Sequence, residues 1–224
     1  MYVAVIPARG GSKGIKNKNL QTVGGVSLVS RAIISAQRAN IDKIIVSTDS
    51  SIIEEEVRKL NVLVHRRSKT NASDDAKTID VVLELYHDMS LSADDVCVLL
   101  QPTSPLRSAN DICQVIHQFE KNQHVGSTIS IVETDHHPYK MLIEQKGEIV
   151  PFKNKELLET PRQVLPKVFR VNGAVYVASF ANLFDEHSFF VEPVSYIKMN
   201  EKNSVDIDNH LDLEWANYLA EKNM

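Results

Sequence analysis

The chain has 224 residues, 43% hydrophobic and 24% charged, with 25 Lys and Arg against 29 Asp and Glu for a net charge of −4. That size suits one well-buried α/β domain, and the mildly acidic balance gives no reason to expect a nucleic-acid or membrane partner, so any functional positive charge must be local. No secretory leader pattern or apolar span of membrane length is present, which makes a reducing cytoplasm the expected location.

Val3-Ala4-Val5-Ile6 is the kind of short apolar run that forms a parallel strand buried on both faces, and Pro7 ends it. The following loop then lies at the carboxyl end of a central strand, where open α/β sheets bind ligands. Gly10, Gly11 and Gly14 allow tight turning and expose backbone amides, while Arg9, Lys13, Lys16 and Lys18 surround them with positive charge. Amides and cations in one concave loop suit a polyphosphate. The spacing is neither that of a Walker loop nor that of a dinucleotide fold, and by itself it also fits an ordinary surface loop.

Leu28, Ala32, Ile33, Ala36 and Ala39 predict a helix from about Ser27 to Ala39. A strand follows at Lys43 to Ser47, then a helix with Ile53, Val57 and Leu60 inward, and a short strand at Val62 to His65. Arg66 and Arg67 close that strand, and a polar segment, 71–76, precedes a helix carrying Ile79, Val82, Leu83, Tyr86 and Met89. Asp95 to Leu100 predicts a fourth strand, left by the Pro-braced loop Gln101-Pro102-Thr103-Ser104-Pro105-Leu106-Arg107, and Ile112, Val115, Ile116 and Phe119 mark the next helix. Both cysteines, Cys97 in the strand and Cys113 in the helix, lack metal-ligand spacing and are expected as packed core thiols.

After a fifth strand at Val125 to Val132 the rhythm fails over 135–168. The adjacent His136 and His137 lack the spacing of a metal site. Strands are expected again at Phe169 to Val177 and Val194 to Met199, with Ser204 to Asp208 closing the sheet, and Leu211, Trp215, Tyr218 and Leu219 form the apolar face of a last helix. This alternation predicts a doubly wound, mostly parallel sheet of the Rossmann-like kind. Asp206 and Asp208, two apart, would share one face of an extended strand, where two like charges call for a cation or else cap a helix.

Five stretches in order, Pro7 to Leu20, Arg67 to Thr78, QPTSPLR, R-x-N-G-A-x-Y at Arg170 to Tyr176, and D-I-D at Asp206 to Asp208, resemble the CMP-sialic acid synthetase (N-acylneuraminate cytidylyltransferase) family. The resemblance covers nearly the whole chain. It implies a single nucleotidyltransferase domain, with approximately 135–168 as an insert that packs against a second subunit of a homodimer. It also implies CTP and a nine-carbon sugar acid as substrates, N-acetylneuraminate first among them. CMP-legionaminate and CMP-pseudaminate synthetases share the nucleotide half, and a non-catalytic nucleotide-sugar sensor would keep the fold without needing the acidic pair.

By the same resemblance Arg9, Gly10, Gly11, Ser12, Lys18 and Asn19 hold the nucleotide, with Lys13 beside the phosphates. Arg67, Ala76 and Thr78 hold the cytosine; Arg66 is the alternative to Arg67, whose spacing to Ala72-Ser73-Asp74 favours it. Gln101, Lys140, Arg162, Gln163, Asn172 and Tyr176 face the sugar acid, and Phe189 and Phe190 line an acyl pocket that favours an N-acylated sugar over Kdo. Asp206 and Asp208 bind magnesium or manganese, and the catalytic set is Arg9, Lys13, Arg162 and Asp208. Ser68 and Lys77 depart from the commoner pattern, and no residue declares itself as the general base.

Overall fold

The computed structural model describes residues 1–222 except Lys13 and Asp135. Its strands are β1 (Tyr2–Pro7), β2 (Thr22–Val23), β3 (Val26–Ser27), β4 (Lys43–Thr48), β5 (Leu63–Arg66), β6 (Val96–Leu99), β7 (Ser127–Glu133), β8 (Leu142–Gln145), β9 (Glu148–Pro151), β10 (Phe169–Ser179) and β11 (Val194–Lys198). The helices are α1 (Leu28–Arg38), α2 (Ser51–Arg58), α3 (Thr78–Asp88), α4 (Ala109–Lys121), α5 (Lys155–Glu159), α6 (Phe180–Glu186) and α7 (His210–Glu221). Seven strands form one sheet in the order β11-β7-β10-β6-β1-β4-β5, parallel except for β10, which runs antiparallel to both neighbours.

Burial on both faces explains the apolar runs. Ala4 and Ile6 of β1 point to one side, where they meet Val29 and Ile33 of α1, Val57 of α2, and Ile112, Val115 and Phe119 of α4. Val3 and Val5 point to the other, against Val82 and Leu85 of α3 and Phe180 and Leu183 of α6. Helices therefore cover both faces, the doubly wound arrangement that the pattern predicts. After β1 the chain moves out through β4 to β5, then returns to place β6 on the other side of β1. The crevice between the carboxyl ends of β1 and β6 is the switch point of the fold.

Three expectations change. Residues 204–208 do not join the sheet: a short 3-10 turn, Lys202–Ser204, leads into an extended crossing whose Ile207 N–H donates to the Thr103 carbonyl (2.9 Å), while Ile207 itself is buried among Ile15, Val23 and Leu28. The last helix presents another face. Of the expected face Leu219 is buried, but Leu211, Trp215 and Tyr218 are exposed, whereas Ala216 and Ala220 are buried and Asn217 bonds the Gly24 N–H and the Thr22 carbonyl. Small residues let α7 approach β2 closely, a fit that hydrophobicity alone does not register. Cys113 is exposed and only Cys97 is buried, because α4 turns Ile112, Val115 and Phe119 to the sheet and Cys113 falls off that face.

The segment after β7 builds a hairpin of its own, β8 against β9, followed by α5. His137 binds it down: its ring accepts from the Tyr139 N–H (3.1 Å) and reaches the Pro166 carbonyl (3.0 Å), so it serves the backbone. The hairpin region leaves Met141, Leu142, Ile149, Phe152 and Val164 exposed. No helix among the described residues is long and apolar enough to cross a membrane.

Burial pushes the Cys97 thiol well above its ordinary range. An aromatic disulfide reagent should therefore modify Cys113 in the native protein and Cys97 only after denaturation; native reaction of Cys97, read by mass spectrometry of peptides, would contradict this packing.

Candidate active site

The switch point holds a cleft of about 250 Å³ whose lining includes Arg9, Ser12, Lys18, Asn19, Arg67, Ala76, Thr78 and Gln101. Its entrance loop is pinned at several places. Asn19, buried, donates from Nδ2 to the Arg9 carbonyl (2.8 Å), closing the loop on itself. The Gly10 N–H donates to Asp49 Oδ1 (2.8 Å), which turns that amide toward the end of β4. Gly11 stands in open space and is exposed. Lys13 lies outside the described residues.

The same loop meets the far end of the chain. A Cβ built on Gly14 would stand 2.3 Å from the Asp208 carbonyl oxygen, so only glycine permits this approach. Lys18 Nζ donates to the Ile207 carbonyl (2.7 Å) and pairs with Asp208 Oδ1 (3.2 Å). Beneath them Ile15 and Ile207 share one apolar cluster. The cationic loop and the acidic pair thus meet at one edge of the cleft.

On the opposite wall Arg67 is buried and Arg66 is exposed. Arg67 Nη2 donates to the Ser47 carbonyl (2.7 Å), Nη1 to the Asn71 carbonyl (3.4 Å), and Nε is buried with no partner among the described residues. Burial pushes its pKa down to about 10, against the raising effect of Asp49 and Glu84. Arg66 turns outward to Glu54 (2.8 Å). Arg9 crosses the cleft mouth to the Ser73 carbonyl (2.9 Å) and Asp74 (2.9 Å). Asn71, Ser73 and Asp74 therefore belong to the wall, as does Thr103; their polar, turn-like sequence reads as a helix approach, and only the folded loop places them here.

The two aspartates differ. Asp206 is half-buried and its Oδ1 is buried with no partner among the described residues; burial raises its pKa, the Thr103 hydroxyl lowers it, and the Asp208 charge raises it again. Asp208 is exposed and held by Lys18. A buried unpartnered carboxylate oxygen with a second carboxylate two residues on fits a hard divalent cation that completes its shell with phosphate oxygens and water. Among the described residues His65, Glu84 and Asp88 also approach one another, but His65 is held between Ser47 (3.0 Å) and Asp88 (3.0 Å).

Tyr176 lies near Asp206, whose charge adds to the burial that raises the tyrosine pKa. It contacts Phe189 (5.4 Å) and Phe190 (6.4 Å), with Phe189 partly buried and Phe190 exposed, so the pair forms an aromatic edge rather than a sealed core.

Other expected residues go elsewhere within one chain. Asn172 is fully buried: Oδ1 accepts from Ser130 (2.6 Å) and the Ala174 N–H (3.2 Å), and Nδ2 donates to Ser204 (2.9 Å). Those bonds hold the bulge in β10 and spend the side chain within the chain. Lys140 donates to the Leu158 (2.7 Å) and Thr160 carbonyls at the end of α5. Arg162 and Gln163 line a separate depression of about 260 Å³ with Glu133 and His137, which shares no lining residue with the first.

With this geometry in place, the sequence profile described as cytidylyltransferase matches residues 3–142. The chain is 32% identical over 233 residues to post-translational flagellin modification protein B of Campylobacter coli, covering 99% of this chain and 96% of that protein. It is 33% identical over 230 residues to CMP-N,N'-diacetyllegionaminic acid synthase of Legionella pneumophila (99% and 95%), and 28% identical over 214 residues to N-acylneuraminate cytidylyltransferase of Streptococcus agalactiae (94% and 51%). The solved structure of a CMP:2-keto-3-deoxy-manno-octonic acid synthetase complexed with CTP superposes with a TM-score of 0.75 at 14% identity, covering 100% of this chain and 99% of that one, a likeness of fold.

Gly14→Ala should force the loop off the Asp208 carbonyl and lower turnover on the order of 10-fold or more while the bulk of the fold stays intact. Steady-state kinetics beside a melting curve checks this, and wild-type turnover would show that the contact does not matter.

Proposed function

The chain belongs to the cytidylyltransferase family, and on that premise we propose that it joins CTP to an N-acylated nonulosonic acid, giving the CMP-sugar and pyrophosphate. The observation that carries this reading is the meeting of the cationic loop and the Asp206–Asp208 segment at one cleft, through Gly14 and Lys18. The anomeric hydroxyl oxygen forms a bond to the α-phosphorus, the bond to the bridging oxygen of the β-phosphate breaks, and pyrophosphate leaves with that electron pair. The hydroxyl proton passes to a base or to solvent.

Little covalent chemistry falls to the protein, whose part is to align the reactants and balance charge. Arg9, Lys18 and the exposed Gly11 amide would meet the phosphates, Lys13 beside them. Arg67, with an unpartnered buried Nε, would donate to the cytosine acceptors, and Ala76 and Thr78 would close that wall. Asp206 and Asp208 would hold a magnesium ion, which when bound neutralises phosphate charge and lowers the pKa of a coordinated hydroxyl. Gln101, Tyr176, Phe189 and Phe190 would receive the sugar acid.

Two relatives support a preference among acids. The proteins at 33% and 30% identity named for N,N'-diacetyllegionaminic acid match along almost their whole length, whereas the Streptococcus agalactiae N-acylneuraminate enzyme stands at 28%. This reading therefore places a diacylated acid of the legionaminate type ahead of N-acetylneuraminate. The chain acts as a homodimer in the same proposal. The exposed apolar residues of the β8–β9 region supply the contact, and Lys140, Arg162 and Gln163, which do not reach the cleft of their own chain, serve the neighbouring one.

Pyrophosphate release with CTP and Mg²⁺ should be fastest with diacetyllegionaminate, slower with N-acetylneuraminate and pseudaminate, and absent with Kdo. N-acetylneuraminate turning over fastest would reverse the order. Silence with every acid, alongside measurable CTP binding, would identify a sensor instead. Asp208→Ala should reduce turnover on the order of 10²-fold or more with an unchanged melting temperature; full activity would remove Asp208 from the site.

A further inference from the structure

Gln101 heads the loop that leaves β6, and the cleft side does not explain what holds it. Arg107, six residues on, is 5% exposed. Its Nη1 donates both to the Gln101 carbonyl (3.0 Å) and to the Ala174 carbonyl (2.9 Å). Ala174 belongs to the bulge of β10, where the register against β7 slips between Val171 and Tyr176. The residue before it, Gly173, has φ +72, and a Cβ built there would stand 2.7 Å from Gln101 Oε1. One nitrogen thus fastens the loop backbone to the strand backbone at the point where the Gln101 amide rests on a bare Cα.

The fastening is unusual in its charge. Among the described residues Arg107 makes no ion pair; Asp111 acts on it only at a distance, its carboxylate bonding Ser108 (2.8 Å) and Asn203 (2.8 Å). Among the described residues Arg107 Nε is buried without a partner, and burial pushes the guanidinium pKa down to about 10. An aliphatic chain of similar volume would fill this place without the desolvation cost of a cation. What the guanidinium adds is a planar, pre-organised donor that bridges two carbonyls at a set separation, which an alkyl chain does not do and a flexible ammonium does with a greater loss of rotamer freedom per bond.

We propose that Arg107 is a positioning residue for the sugar acid: by holding the Gln101 and Ala174 carbonyls together it sets the Gln101 amide against Gly173, and so tunes the acid side of the cleft without touching the nucleotide side. This rests on the reading of Gln101 as a contact of the acid. The test is steady-state kinetics, with the acid turned over fastest and with CTP, on Arg107→Lys, Gly173→Ala and Gln101→Ala, each with a melting curve. Arg107→Lys should raise the KM for the acid by about tenfold and leave that for CTP within about twofold. Gly173→Ala, which displaces the Gln101 amide without altering any charge, should show the same asymmetry.

An Arg107→Lys variant in which both KM values move alike, or only the melting temperature falls, overturns the proposal. Should that variant fail to fold, Gly173→Ala decides, and a wild-type KM for the acid there overturns it equally. A wild-type KM for the acid in Gln101→Ala overturns the proposal through its premise while leaving cytidylyl transfer intact. Absence of turnover in the unmodified protein with every acid would instead strike the reaction itself.

Discussion

The cleft depends on one contact between distant parts of the chain: the loop after β1 lies directly on the segment before α7. Gly14 has no side chain where the Asp208 carbonyl passes, and the Lys18 ammonium takes the Ile207 carbonyl. Ile15 and Ile207, both fully buried, supply the apolar contact beneath. Burial of each such side chain contributes on the order of 1.5–3 kcal/mol. Polar termini on both sides of the cleft are therefore held by apolar residues that touch no ligand, and the Ile207 N–H ties the same segment to Thr103 of the loop after β6. Three loops from three places in the sequence become one rigid rim.

That rim carries polar groups whose hydrogen bonding is incomplete. Among the described residues Arg67 Nε and Asp206 Oδ1 are both buried without partners, one on each side of the cleft. Unsatisfied buried polar atoms cost stability, and they concentrate where a ligand supplies what the protein leaves open. Arg66, one residue from Arg67, shows the contrast: exposed, it is fully engaged by Glu54. Arg66, the last residue of β5, turns outward into an ion pair, and Arg67, the next, turns inward, where its guanidinium is buried.

The insert obeys a different logic. Among the described residues its hairpin strands pair only with each other, His137 bonds the Tyr139 N–H and reaches the Pro166 carbonyl, and Met141, Leu142, Ile149, Phe152 and Val164 are exposed. Lys140 and Arg162 sit on this excursion and away from the cleft of their own chain: Lys140 is spent on the Leu158 and Thr160 carbonyls, and Arg162 lines a separate depression.

Periodicity and turn chemistry in the sequence determined the alternating elements, the two-faced burial of β1, the glycine-rich loop at its carboxyl end and the order of the five motifs, because each is written in residues close together in the chain. Arg67 as the inward arginine was also legible, from its spacing to the loop that follows. The tertiary structure alone decided the rest. Residues 204–208 look like a strand, but Ile207 is drawn into the cluster around Ile15 and its N–H to Thr103. The inner face of α7 joins Leu219, which the pattern marks, to Ala216, Asn217 and Ala220, whose small or polar side chains meet β2 closely and carry no hydrophobic signal of their own. Asn172 resembles a ligand contact in sequence, yet a bulge in β10 turns it inward to Ser130 and Ser204. Local pattern reports the backbone state of a segment, whereas the direction a side chain takes depends on which distant segment fills the space beside it.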